Sequence, residues 1–403
     1  MNSMGGKKVL YAAFDAYPGV KGAQAHIRTN LLAIAHGGGL ATLLCLGQGG
    51  SFRDPDSGAM VHAFAVGERN MLRRSELFGR FLVEMADRMI ADPPDVIHFR
   101  DIWSGIPLLS HPISRNSRIV FEVNGLPSVE LPNHYPRLAD NSPLLARLRW
   151  MEDECLARSD SVITVCRRTS RYLVERGCDK GKITEIPNAA DPGVAIEALP
   201  IGVAGFEEAA ANGEKVILYV GTLAPWQGLQ TLLQAMTHLG RRNDFRLVVA
   251  ASGRKGVKRL RRQSIAKGLI TRVTILDGIH HGVMPYLYQR AYLSVAPLAR
   301  GARNELQGCC PLKVVESMAQ GTPVVASDLP VVRELICPGQ DGWLAHPGSP
   351  RALAGALEML LDNEPLRDRL ALGAYDRACR DFGTQLFAER LAAVYNSLTG
   401  GET

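Results

Sequence analysis

Between Ala296 and Leu335 the chain reads APLARGARNELQGCCPLKVVESMAQGTPVVASDLPVVREL, and this stretch gathers the residue types that bind a phosphorylated ligand. A polar loop with Arg300, Arg303 and Asn304 leads to Gly308-Cys309-Cys310-Pro311, where a helix opens and continues through Leu312. Proline suits a first helical turn, because its missing N–H would have no partner there. The free N–H groups of such a helix start can cradle a phosphate. Lys313 and Glu316 stand three apart and share a helix face; by themselves they read equally well as solvated helix charges. Elsewhere, Gly19 and Gly22 would let the backbone approach a ligand closely. Glu122, Asn124 and Gly125 end an apolar run and should face the same ligand. An amide such as Asn124 can orient a substrate, but it cannot serve as a base. Trp226 suits stacking on a sugar or plain packing. For His26 and His98 a satisfied structural histidine is the commoner outcome. There is no Asp-x-Asp and no His cluster, so the sequence offers no metal site.

The elements that would position these residues alternate regularly. Short apolar runs occur at Val9–Phe14, Thr42–Leu46, Val61–Val66, Asp95–Phe99, Ile119–Val123 and Ser161–Val165. They return at Val216–Val220, Arg246–Ala250, Val273–Leu276, Leu293–Ala296 and Pro323–Ala326. Their Val, Ile and Leu content without clean alternation fits strands buried on both faces. Helical patterns lie between them, among them Ala23–Ala35, Arg74–Ile90, Leu144–Arg158, Leu229–Thr237 and Pro311–Ala319. This predicts an α/β chain of parallel sheets covered by helices. The rhythm breaks once, at DPGVAIEALPIGVAGFEEAAANG. The expected organisation is a Rossmann-like domain over residues 1–190, a linker over 191–213 and a second Rossmann-like domain over 214–383. A C-terminal helix over 384–403 would either cap the second domain or pack back towards the first. Ligands of such sheets sit outside the carboxyl ends of the strands, so two facing domains would share one cleft.

The 296–335 stretch resembles the donor-binding signature of the family 4 glycosyltransferases, which have the GT-B fold, here in a variant reading QGCCPLKVVE. Other segments match in order: PDVIHFR at 94–100, IPNAAD at 186–191, YVGTLAPWQGLQTLLQA at 219–235 and GVKGAQAHIRTNLLAIAHGG at 19–38. The resemblance implies retaining transfer of a sugar from a UDP- or GDP-linked donor, with no cofactor beyond that substrate. It makes Glu316 the ligand of the nucleotide ribose, whose two hydroxyls suit a carboxylate. It places the donor on Gly19, Gly22, Gly221, Thr222, Arg303, Gly308, Cys309, Cys310, Pro311, Leu312 and Lys313. Asn124 and Lys313 are the candidates for catalysis.

Three positions depart from the family pattern. Many members carry a second Glu, touching the donor sugar, where this chain has Gly308. The Arg and Lys that usually bind the diphosphate correspond to Thr222 and Gln227, and the His of the reacting centre corresponds to Asn124. Either Arg303 and Lys313 have taken over the diphosphate, with Arg254 and Lys255 as further candidates, or the chain is a non-catalytic nucleotide-sugar-binding relative. A nucleotide-sugar epimerase would need acid and base groups on both faces of the sugar, and no convincing pair is visible. A helix start with Lys and Arg can stabilise a leaving diphosphate without a metal.

Bulk properties narrow the setting. Of 403 residues 46% are hydrophobic and 21% charged, as in a folded globular protein. The net charge of +6 is shared evenly between the halves, with no basic tail, which argues against nucleic acid as a main partner. The Cys count is 8 with no C-x-x-C pair, which reads as reduced thiols in a cytoplasmic protein. The stretch Val9–Phe14 is short for a signal peptide and ends in Asp15. No apolar run reaches the roughly 18 residues of a membrane span. Arg73, Arg74, Arg80 and Arg88, with Arg167, Arg168 and Arg171, could form a basic face on the first domain. Such a face predicts a peripheral position at the inner membrane face and, with the resemblance, a glycan or lipid-linked acceptor.

Overall fold

The computed structural model describes residues 4–19, 22–65, 67–135, 138, 142–195, 200–240, 242–251 and 253–400, the side chains of His134 and Arg254 excepted. Its strands form two sheets. The first holds β1 (Lys8–Ala16), β2 (Leu40–Gly47), β3 (Gly50–Arg53), β4 (Met60–Ala65), β5 (Val96–Phe99), β6 (Arg118–Val123), β7 (Ser161–Thr164) and β8 (Ile183–Glu185), in the order β3-β4-β2-β1-β5-β6-β7-β8. The second holds β9 (Lys215–Val220), β10 (Phe245–Ala251), β11 (Val273–Asp277), β12 (Leu293–Ala296), β13 (Val324–Ser327) and β14 (Trp343–Ala345), in the order β11-β10-β9-β12-β13-β14. The pairings are parallel except β3 with β4, a short antiparallel edge. Central strands read as apolar runs because both faces are covered: every residue of β5, β7, β12 and β13 is buried. In each sheet the strand order reverses once, between β1 and β5 and between β9 and β12. Connections there leave in opposite directions and open a crevice at the strand ends.

The segment between the sheets is less bare than its breakers suggest. Within it lies a helix, Ala204–Ala211, whose Phe206 and Ala209 pack on Val216 and Leu218 of β9 and on Leu287. Residues 196–199 of the expected linker lie outside the described residues. The Thr384–Thr399 helix crosses back to the first sheet. Phe387, Leu391, Val394 and Tyr395 bury themselves against Val9, Val96, Val120 and Ile163. The Tyr395 hydroxyl also hydrogen-bonds His98 Nδ1 at 2.7 Å, deep in the first sheet.

Polar contacts hold the two halves in register. The Glu334 carboxylate accepts the backbone N–H groups of Arg167 at 2.7 Å and Arg168 at 3.0 Å, at the start of the Arg167–Glu175 helix. A carboxylate is favourable there because it meets unpaired N–H groups and the positive end of the helix dipole. If the last helix belongs energetically to the first sheet, Leu391→Ala should destabilise it by about 2–5 kcal/mol, the cost of emptying a fully buried leucine site. Urea unfolding would show this as an earlier transition, and a loss below about 1 kcal/mol would mean the helix is loosely attached.

Candidate functional site

The carboxyl ends of both sheets line one cleft of about 570 Å³. On the second-domain wall, β9 ends in Val220 and Gly221, and the Leu312–Ala319 helix points its start at the same place. Pro311 stands just before that helix and lines the cleft with Leu312 and Lys313, and no side chain caps the helix start. Lys313 lies across the turn after β9. Its Nζ donates to Gln227 Oε1 at 2.6 Å and sits 4.3 Å from the centre of the Tyr219 ring. Gly221 makes this possible: at φ +145° it is in a conformation open to glycine, and a β-carbon there would come within 2.7 Å of Nζ. The ammonium therefore reaches the turn that carries Thr222 and Gln227, the two uncharged positions singled out in the sequence. Burial lowers the Lys313 pKa to about 7, with Glu316 only partly opposing it.

One helical turn on, Glu316 is 8 % exposed and lines the same cleft. Its Oε1 pairs with His281 Nε2 at 2.6 Å, and the Tyr288 hydroxyl lies 3.4 Å from Oε2. Burial works against charge on His281, but the Glu316 carboxylate outweighs it and holds the imidazole above its ordinary pKa. The carboxylate thus meets a histidine, with which ribose hydroxyls would have to compete. Only position in the fold reveals His281: it follows β11 in GIHHG, a stretch with no distinguishing spacing.

The loop before this helix is tied to the other domain. Arg303 Nε donates to Glu130 Oε1 at 2.9 Å, and its guanidinium lies 5.8 Å from the centre of the Trp226 ring. Gln307, fully buried, accepts the Leu126 N–H at 2.9 Å and donates to Glu130 at 3.1 Å. Gly308 does not line the cleft. It packs against the Arg167–Glu175 helix, where a β-carbon would meet Thr169 N and Oγ1 at 2.8 Å and Cys166 Sγ at 2.9 Å. The glutamate many relatives carry at this position would not fit. Cys309 and Cys310 line the cleft as buried thiols, both pushed up by burial, so thiolate chemistry is disfavoured. Asn188 Nδ2 holds the Cys310 carbonyl at 2.7 Å.

On the first-domain wall Asn124 and Gly125 line the cleft. Asn124 Nδ2 is buried without a hydrogen-bond partner, an amide donor that lacks an acceptor. Glu122 corrects the expectation that it faces the ligand. It turns into the sheet, where Tyr11 OH donates to it at 3.0 Å and His26 Nε2 pairs with it. Burial opposes its charge, but His26, His98 and Arg100 outweigh that and keep the carboxyl well below its usual range. His26 itself lines the cleft, whereas His98 is wholly buried and burial lowers it to about 4. Gly22 faces Leu312 across the cleft, where a β-carbon would lie 3.6 Å from the leucine methyl. Thr222 lines the cleft and is exposed. Gly19 is exposed and is not among the lining residues; residues 20 and 21 beside it lie outside the described residues. Lys255, also exposed, stands at the start of the Arg254–Ala266 helix away from the lining, and the Arg254 side chain is outside what is described.

Known proteins match over both halves. The family model for Glycosyltransferase Family 4 matches residues 20–194, and that for Glycosyl transferases group 1 matches residues 204–377. Alpha-D-kanosaminyltransferase of Streptomyces kanamyceticus is 31% identical over 186 residues, 45% of this chain and 46% of that one. The chain spans about half the length of the curated relatives it matches first. Among solved structures, sucrose-phosphate synthase from Thermosynechococcus elongatus superposes with a TM-score of 0.82 at 19% identity, over 98% of this chain and 100% of that one. Anabaena HepE in complex with UDP-glucose gives 0.73 at 18%, over 97% and 100%. At such identities the likeness is one of fold, the two-domain GT-B architecture.

The lowered Lys313 pKa has a thermodynamic consequence. With its pKa lowered to about 7, the lysine is mostly neutral at pH 8, and a diphosphate beside it would raise that pKa and draw in a proton. Calorimetric titration of UDP at pH 8 in phosphate and in Tris should show wild type taking up on the order of one proton more than Lys313→Met. Equal proton uptake in the two proteins would place Lys313 away from the anion.

Proposed function

The chain belongs to the family 4 glycosyltransferases, and we propose that it transfers a sugar, with retention, from a UDP- or GDP-linked donor held on the second-domain wall. In this reading residues 214–383 form the donor side. Residues 1–190, with the returning Thr384–Thr399 helix, form the acceptor side. The observation that carries the proposal is the pairing of cation and carboxylate on one helix. Lys313 delivers its ammonium to Gln227, filling the diphosphate position that the β9 turn leaves uncharged, while Glu316 stands where a ribose would meet it. HepE, of the same fold, is described with UDP-glucose bound, which supports a nucleotide-sugar donor here.

Each wall then has a task. Glu316 accepts the ribose hydroxyls and releases His281 as it does so. Lys313, Arg303 and the open N–H groups of the Leu312–Ala319 helix take the diphosphate charge that grows as the sugar leaves. Lys313 takes up its proton as the donor diphosphate binds, so it is charged before the sugar leaves, and its attraction grows as negative charge builds on the departing diphosphate. Asn124 offers its unpartnered amide to a sugar oxygen. Lys313, Arg303 and the helix start are the protein's own groups for stabilising the leaving diphosphate, so we propose metal-independent transfer. The compensation at Gln227 also weighs against the non-catalytic reading.

The acceptor proposed from the sequence is a glycan, free or lipid-linked. Support for a membrane-facing basic surface is thin: Arg80 pairs with Glu76 at 2.6 Å, Arg88 with Glu84 at 2.5 Å and Arg73 with Glu68 at 3.5 Å. Among the described residues no helix is long and apolar enough to cross a membrane.

Thermal shift with UDP, GDP and ADP in EDTA should raise the midpoint for at least one nucleotide. For that nucleotide, Glu316→Ala should weaken binding by about 1.5–3 kcal/mol, roughly ten- to over a hundredfold in Kd, without unfolding the protein. Unchanged affinity in the variant would sink the ribose assignment.

A further inference from the structure

The first-domain wall carries a group of side chains that the donor site does not use. After Ala13 the register of β1 against β2 shifts, and the strand end brings Phe14 and Asp15 to the cleft. Asp101 fixes that end. Its Oδ2 accepts the Phe14 N–H at 2.7 Å, and its Oδ1 caps the Ile102–Ser110 helix through Ser104 N at 2.8 Å. Those internal bonds occupy Asp101 and make it a support for its neighbours. Trp103, in the first turn of the same helix, stands with its ring centre 6.0 Å from that of Phe14. The Arg74 guanidinium lies 5.4 Å from the Phe14 ring, and Phe14 and Trp103 are both half-buried and line the cleft. Arg100, 8 % exposed, donates to the Ala23 carbonyl at 3.0 Å and lies 3.6 Å from the Asp15 carboxylate. Asp15 is 39 % exposed, anchored beside a buried cation and open towards the cleft.

An aromatic ring next to a carboxylate and a guanidinium matches the chemistry of a pyranose. Its C–H face lies on the ring, one hydroxyl donates to the carboxylate, and a neighbouring hydroxyl accepts from the guanidinium. A phosphate placed there would meet the Asp15 charge at once. We propose that Phe14, Asp15, Arg100 and Trp103 form a subsite for a neutral hexopyranose ring of the acceptor, with Trp103 under the ring and Asp15 and Arg100 on adjacent hydroxyls. This deepens the transfer reading and rests on it, because a second substrate has to lie opposite the donor.

The test uses methyl α-D-glucopyranoside, methyl α-D-mannopyranoside and methyl α-D-galactopyranoside as probes. Saturation-transfer NMR reads their binding to the full chain with and without UDP. At least one glycoside should bind wild type, and its affinity should fall at least about tenfold in Asp15→Asn and in Trp103→Ala, with Trp103→Phe retaining part of it. UDP affinity, measured alongside, should be unchanged in all three variants, which also reports that they are folded. Wild type that binds UDP but none of the glycosides would overturn the subsite, as would glycoside binding equal in wild type, Asp15→Asn and Trp103→Ala. Loss of UDP binding by wild type would instead strike the donor reading, and the glycoside titrations without nucleotide would still decide the subsite.

Discussion

Residues 302–310 are wedged between the two domains, and the geometry of the cleft follows from how tightly that wedge is held. Gln307 is fully buried between Leu126 and Glu130, and Arg303 is paired with Glu130. Arg168 Nε donates to the Leu306 carbonyl at 3.2 Å, and Gly308 runs too close to Thr169 for any side chain. The wedge fixes where the Leu312–Ala319 helix begins, and so where Lys313 and Glu316 enter the cleft. It also accounts for the absence of a glutamate at position 308: the chain uses that backbone to dock one domain on the other. Sugar contacts then have to come from elsewhere, and Asn124 has the free donor.

The same economy of charge appears on the donor wall. In the proposed function a cation is needed near the donor diphosphate, and the turn after β9 supplies none. Lys313 reaches over Tyr219 to reach that turn from the neighbouring helix. Burying an ammonium beside an aromatic ring and an amide costs solvation, which is why its pKa falls to about 7. An arriving anion repairs that deficit, so binding and protonation are coupled. Glu122 solves the opposite problem on the first domain. It stays ionised inside the sheet because His26, His98, Arg100 and Tyr11 surround it, and that network runs from the cleft to Tyr395 on the last helix.

Much of this was legible in the residues. The runs at Val9–Phe14, Ile119–Val123 and Val216–Val220 became strands because continuous apolar stretches of that length have one buried solution. Lys313 and Glu316 were found because helix spacing and the family motif agree. The edge strands β3, β8 and β14 were not, since Gly50–Arg53, Ile183–Glu185 and Trp343–Ala345 are short and only partly buried, and propensity is weak there. Glu122 was expected in the cleft because it lies at the end of an apolar run, and that position does not say which neighbours will surround a carboxylate. His281, Glu130 and Arg100 escaped notice for a common reason: each acts through a contact distant in sequence, which composition and spacing do not encode. Gly308 shows the limit from the other side. Its meaning lies in the helix packed against it.

The central claim is that the nucleotide sits on the second-domain wall and exchanges the internal partners of Glu316 and Lys313 for its own atoms. A crystal structure of the protein with UDP bound tests this most directly. The expected result is ribose hydroxyls on the Glu316 carboxylate with His281 displaced, and a diphosphate oxygen within hydrogen-bond reach of Lys313 Nζ. A nucleotide bound elsewhere, or bound here with Glu316 still paired to His281 and Lys313 still on Gln227, would contradict it.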